Sequence, residues 1–310
     1  MTSHRIVSCV SNLTERLFLL TFVLCFCFSR VGFALQSESQ IRQDQAKDVS
    51  SSKSDESELE RSDDASWLNS ESLSSASDVE FRVDNTVRFI RNERETKYSS
   101  STVFYGDLAF DFVGDNGEIV VYSFRAQKFV LIDPIRRMRS VIDESELDRF
   151  IERIKAILRD KKDGFTVFMT SPSFTISQKE DEYFFQSRWI DYRATTKPFD
   201  DEKIADVYFR FVEAMGKLNV YMNPGVLTPL ARVEANRKFM DESRFPEKIV
   251  TEIYPRGKTI FAKTLQVENT STIARRLSER DRNRVNRAVH LFEQFQFVSF
   301  KTYFEKSGTR

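Results

Sequence analysis

Chemistry needs particular side chains, and three sets in this 310-residue sequence qualify. The first is histidine, of which there are two, His4 and His290. At about 100° per residue on a helix, His290 falls far around from Val285, Val289 and Phe292, which the spacing puts on one apolar face. A catalytic triad needs its histidine turned towards a buried nucleophile, so His290 reads as a solvated side chain. The second set is the carboxylates Asp107, Asp111, Asp133 and Asp191. Two of them held at the right separation could hydrolyse a sugar bond, but sequence gives no separation. Asp107 and Asp111 also alternate with apolar residues as an exposed strand face would. The third set is arginine. Arg275, Arg276, Arg280, Arg282, Arg284 and Arg287 crowd around one late segment, and Arg136, Arg137 and Arg139 form a smaller group. Guanidinium groups can hold an anionic headgroup or polyanion by charge and bidentate hydrogen bonds. The plainer readings are a solvated helix face or a dock for an acidic part of the same chain.

Other chemistries lack their residues. Nothing matches a phosphate-cradling glycine loop, a nucleophile elbow or a zinc helix motif. The stretch DNGE (residues 115–118) is too short for an EF-hand loop. Cys9, Cys25 and Cys27 all lie in an amino-terminal segment whose basic residues Arg5 and Arg16 precede the apolar run Leu17–Phe28. That run has the length of a signal-peptide core, and Gly32 and Ala34 suit cleavage after Ala34. Residues 1–34 are therefore expected to be a signal peptide, which makes the protein secreted or periplasmic. If uncleaved, this segment is its membrane contact. The remaining chain would hold no disulfide and no cysteine ligand. No catalytic residue, metal site or cofactor is expected.

Residues 35–80 read as a disordered tether rich in serine and acid, because such composition cannot bury enough surface to offset the entropy of ordering. Within it Trp67 and Leu68 are a candidate docking spot or an incidental apolar pair. Residues 36–80 hold 12 acids and 4 bases, whereas residues 81–310 hold 34 acids and 40 bases. An acidic segment is thus joined to a mildly basic domain, on which it can lie at low salt. A net charge of +6 over that domain is too weak to argue for a nucleic-acid partner.

The elements that must position these residues follow from periodicity. Strict alternation puts Leu108, Phe110 and Phe112 on one face of a strand. The stretches EIVVYSF, FVLI and MRSVI continue an antiparallel meander, with Asp133-Pro134 ending one strand. A helix follows, with Asp143 as N-cap and Glu146 completing a variant capping box; Leu147, Phe150, Ile151, Ile154, Ile157 and Leu158 form its stripe. Strand patterns return in GFTVFMTSPSFTIS and EYFFQSRWIDYRATT around the polar loop QKEDE. Helices are expected from Asp200, over TPLARVEANRKFMD, and from Ser278, with a hairpin around PRGK between the last two. The expected fold class is α+β: a curved, mostly antiparallel β-sheet with three to four amphipathic helices packed on it, forming one domain over residues 81–310.

The chain holds 29 phenylalanines, 24 of them after Ala34. They fill a core or line an apolar cavity, with Phe110, Phe112, Phe124, Phe129 and Leu131 as the candidate lining. The pattern FYGDLAFDF…GEIVVYSFRAQKFVLIDPIRRMRSVI, about residues 103–142, resembles the meander of lipoprotein-carrier-like (LolA/LolB-like) half-barrel secreted proteins. That resemblance implies an open half-barrel of curved strands whose helix-covered concave side can hold acyl chains. The leading expectation is non-enzymatic binding of a lipid-like or apolar ligand, or of an envelope protein. The alternatives are a hydrolase using unidentified carboxylates and a structural envelope protein without a ligand.

Overall fold

The computed structural model describes residues 65, 67–68, 79–91, 94–114, 117–160, 163–222, 228–254, 257 and 265–307. The expected signal peptide lies outside these residues, as does all of the expected tether except residues 65, 67, 68, 79 and 80. The chain begins its sheet with β1 (Glu80–Arg91) and β2 (Arg94–Tyr105). Then come β3 (Leu108–Val113), β4 (Ile119–Ser123), β5 (Lys128–Asp133) and β6 (Met138–Asp143), the meander expected from alternation. Gly106 and Gly114 adopt φ of 63° and 64° at two of its turns, where a Cβ would be strained.

Register aligns side chains into rows across the strands. Phe81, Phe104, Ala109, Tyr122, Phe129 and Ile142 are successive partners from β1 to β6, and all point to one face. The next row on that face is Val83, Thr102, Asp111, Val120, Leu131 and Ser140, every member at most 2% exposed. One residue out of step, Val103, Phe110, Val121 and Val130 line up on the opposite face. β3 and β4 are buried along their whole length, because helices cover both faces.

The inner face carries most of the helices. α1 (Glu144–Leu158) packs through Leu147, Phe150, Ile151, Ile154 and Leu158 of its expected stripe, whereas Ile157, also expected there, is exposed. Asp143 stands at its N-cap, but the side chain makes no capping hydrogen bond. After α2 (Gly164–Thr170) come β7 (Thr175–Lys179), β8 (Glu182–Gln186) and β9 (Ile190–Pro198). The long helix α3 (Glu202–Met222) buries Phe211, Val212, Met215 and Leu218, and Phe211 lies edge-on to Phe104 at 5.4 Å. Burying each such side chain contributes about 1.5–3 kcal/mol. α4 (Thr228–Asp241) precedes β10 (Arg244–Ile253) and β11 (Leu265–Ala274), the expected hairpin pair.

α5 (Glu279–Gln294) crosses to the outer face, burying Val285, Ala288, Val289 and Phe292 against Phe110, Phe112, Val121, Val130 and Ile132. Its start is fixed by a capping box between Ser278 and Asp281. The two-residue β12 (Gln296–Phe297) then pairs parallel with β6, and α6 (Phe300–Ser307) returns to the inner face. The strands make one curved sheet in the order β12-β6-β5-β4-β3-β2-β1-β11-β10-β9-β8-β7, antiparallel except at β12.

The α+β class holds, with six helices among the described residues where three to four were expected. The stretch GFTVFMT was expected as strand and is α2. Asp163 accepts a hydrogen bond from the Thr166 amide and so starts a helix in spite of β-branched and aromatic composition. EYFFQSRWIDYRATT is two strands. The Ser187 hydroxyl turns the chain between them by accepting from the Trp189 and Ile190 amides.

Candidate functional site

The five residues expected to line a cavity divide between the two faces. Phe124, Phe129 and Leu131 belong to the inner core, whereas Phe110 and Phe112 belong to the outer core under α5. The hairpin registers explain the division, since Phe110 opposes Val121 and Val121 opposes Val130, which leaves Phe129 and Leu131 pointing the other way. Phe129 and Leu131 are fully enclosed under the helix layer. Phe124 alone of the five borders an open cleft, of about 440 Å³, with Val79, Val207, Asp107, Lys203 and Arg210. The Arg210 guanidinium lies 5.3 Å from the Phe124 ring centroid there.

The carboxylates are dispersed. Asp107 is exposed in a turn, and Asp191 accepts from the Ser187 amide on β9. Asp111, which alternation placed on an exposed strand face, is 1% exposed. The Thr102 hydroxyl donates to its Oδ1 at 2.7 Å, and Oδ2 has no partner among the described residues. Burial pushes Asp111 up to about 7, opposed by the Thr102 hydrogen bond and by Arg284. Asp133 organises the turn after β5, where its Oδ1 accepts from the Ile135 and Arg136 amides, each at 2.8 Å. Arg136 bonds Asp133 Oδ2 at 2.5 Å, the Tyr303 carbonyl at 3.0 Å and Glu118 at 3.2 Å. Burial first, then the Asp133 charge, raises Glu118 to about 7. Arg136 therefore locks α6 to the sheet. Arg139 lies over the Phe292 ring at 4.1 Å and donates to the Phe295 carbonyl. These two arginines are structural fastenings between elements, where a sequence run of arginines suggests solvent.

The late arginines separate in the same way. Arg275 is paired with Asp200, and Arg282 with Glu80. Arg280, Arg284 and Arg287 recur at i, i+4 and i+7 on α5, so they share one face beside its buried stripe. With Glu279 and Asn283 they line an open groove of about 520 Å³. Arg284 is half-buried, its guanidinium 4.0 Å from the centroid of the Phe112 ring. Burial, opposed by Asp281, pulls it below its ordinary value. No carboxylate among the described residues lies within 4.0 Å of these three arginines; Asp281 instead pairs with Arg82 at 2.8 Å. A partly desolvated cation on an aromatic platform, with two exposed cations beside it, is suited to receive carboxylates. His290 is exposed and bonded to Gln294, as a surface histidine would be.

Near the groove, the outer core takes in residues from the expected tether. Ala65 and Leu68 are each 1% exposed, and with half-buried Trp67 they pack in the cluster that holds Val285, Ala288, Val289 and Phe292. The Leu68 amide donates to the Ala65 carbonyl at 2.9 Å. Of the two sequence readings of this pair, docking is the one the structure shows.

Among the described residues there is no cluster of potential metal ligands and no helix long and apolar enough to cross a membrane. No family model and no curated protein matches the chain. The resemblance to LolA/LolB-like proteins has a counterpart among solved structures. A LolA superfamily protein, NE2245 from Nitrosomonas europaea, is similar at 9% identity over 70% of this chain and 95% of its own, with a TM-score of 0.27. A structure of PNGF-II is similar at 7% identity over 73% of this chain and 33% of its own, also with a TM-score of 0.27.

Proposed function

We propose that this chain is a secreted or periplasmic, non-enzymatic binding module that takes an acidic segment of a partner protein along the arginine row of α5. The observation that carries the reading is Arg284, half-buried on Phe112 and flanked by Arg280 and Arg287, with none of the three in an ion pair among the described residues and Glu279 the one carboxylate lining their groove. The row is about 10 Å long at 1.5 Å per residue, which suits a few side chains of an extended peptide. Asp111 and Glu118, the two carboxyls held near 7, border neither this groove nor the cleft at Phe124, so they support the core and not a hydrolytic site.

Titration of a fluorescently labelled oligo-glutamate peptide tests this reading. Arg284→Gln should weaken binding at least about tenfold, the size of one charge-assisted contact, while circular dichroism stays unchanged. Equal affinity in the variant would refute the site. A second reading, an amphipathic ligand in the cleft bordered by Phe124, Val79 and Val207, is favoured by the apolar floor beneath the guanidinium of Arg210. Native mass spectrometry would support it by showing a lipid-sized adduct that Phe124→Asp removes and Arg284→Gln leaves in place.

A further inference from the structure

We infer that residues 55–64 of the chain, DESELERSDD, occupy the arginine row themselves and compete with the partner segment for it. This rests on the reading of the row as an acidic-segment site and adds an internal occupant. Three observations converge. The first is the anchor: Ala65 and Leu68, which follow this segment in the sequence, are seated in the same apolar cluster as Val285 and Ala288 of α5, the helix that carries the row. The second is charge. Six of the ten residues are acidic and one, Arg61, is basic, whereas Arg280, Arg284 and Arg287 form no ion pair among the described residues and share their groove with a single carboxylate, Glu279. The third is reach. Ten residues extend to about 33 Å, several times the length of the row.

Anchoring converts the contact into an intramolecular one. A short flexible linkage gives an effective concentration of about 1 mM. Against a peptide dissociation constant of about 0.1 mM, that lowers the apparent affinity for an added peptide about tenfold. The partner must then displace the chain's own segment, and the displacement weakens with salt because exposed charges are screened within about 8–10 Å at physiological ionic strength.

The test uses labelled DESELERSDD peptide as probe. It is titrated against the unaltered chain and against a chain carrying D55N, E56Q, E58Q, E60Q, D63N and D64N, which keeps the Ala65–Leu68 anchor. Binding about tenfold tighter to the neutralised chain, and lost when R284Q is added to it, is the expected result. Equal affinity for both chains would overturn self-occupancy and leave the arginine row as a site. Failure of the peptide to bind either chain would overturn both. Tight binding that survives R284Q would place the acidic segment elsewhere and overturn the inference.

Discussion

Replacing Asp111 with asparagine isolates one buried charge. Asp111 sits in a row between Thr102 and Val120, 1% exposed, with a single hydrogen bond to Oδ1. Its folded value of about 7 stands above the 3.8 of a free aspartate. A carboxyl raised in this direction is protonated in the folded state while already ionised in the unfolded one between those two values. The folded state therefore binds more protons there, and stability falls as pH rises from about 4 to about 7. The gap is about three pH units, and each is worth about 1.4 kcal/mol, so Asp111 alone removes on the order of 4 kcal/mol across that window. The asparagine side chain of Asp111→Asn would keep the Thr102 hydrogen bond through its carbonyl oxygen. Its amide nitrogen would stand where Oδ2 has no partner, at a cost of about 1–3 kcal/mol that does not vary with pH. The readout is accordingly the slope and not the absolute stability. Urea unfolding of Asp111→Asn and the unaltered chain at half-unit steps from pH 4 to 8 should show the variant losing several kcal/mol less. Two parallel profiles would show that Asp111 does not titrate in the folded core, and the reasoning from burial would be wrong.

Two further substitutions test the packing that frames the sites. Arg136→Met leaves Asp133 and Glu118 without their cation at the α6 junction, and should cost about 3–5 kcal/mol in urea unfolding, as breaking a buried pair does; a loss below about 1 kcal/mol would remove Arg136 from the fastening. Leu68→Ala should cost about 2–5 kcal/mol if Leu68 is part of the outer core, and an unchanged unfolding midpoint would make the anchor incidental.

Much of the fold was legible where one face of an element is uniformly apolar. The stripes of α1, α3 and α5 and the strands β3–β6 announce themselves because nearly every inward position is a large hydrophobe. The β1–β2 hairpin escaped notice for the opposite reason. Its inward positions include Asn85, Ser100 and Thr102, which are buried as polar residues, and hydrogen bonds such as Ser271 to Asn85 at 2.7 Å replace the apolar signal. Asp111 was misread on the same ground, because a polar residue in an alternating strand normally marks the wet face. Of the arginine cluster, composition revealed the members and not their duties. Arg275 and Arg282 are neutralised by Asp200 and Glu80, which are distant in sequence, and only folding shows that, of the other four, Arg280, Arg284 and Arg287 share one face of α5. Likewise, periodicity could not reveal which phenylalanines share a face across strands, since that depends on hairpin register.

The position of β1 has a consequence for timing. One flank of β1 is closed by its immediate successor β2, but the other waits for β11, with Asn85 meeting Ser271 across 186 positions. In a chain delivered amino terminus first, the strands β1–β6 can pair as they emerge, whereas the central seam of the sheet stays open until almost everything has been released. Until then β1 presents an unpaired backbone edge, and a nascent chain of this kind is most exposed to wrong partners in the interval just before β11 arrives.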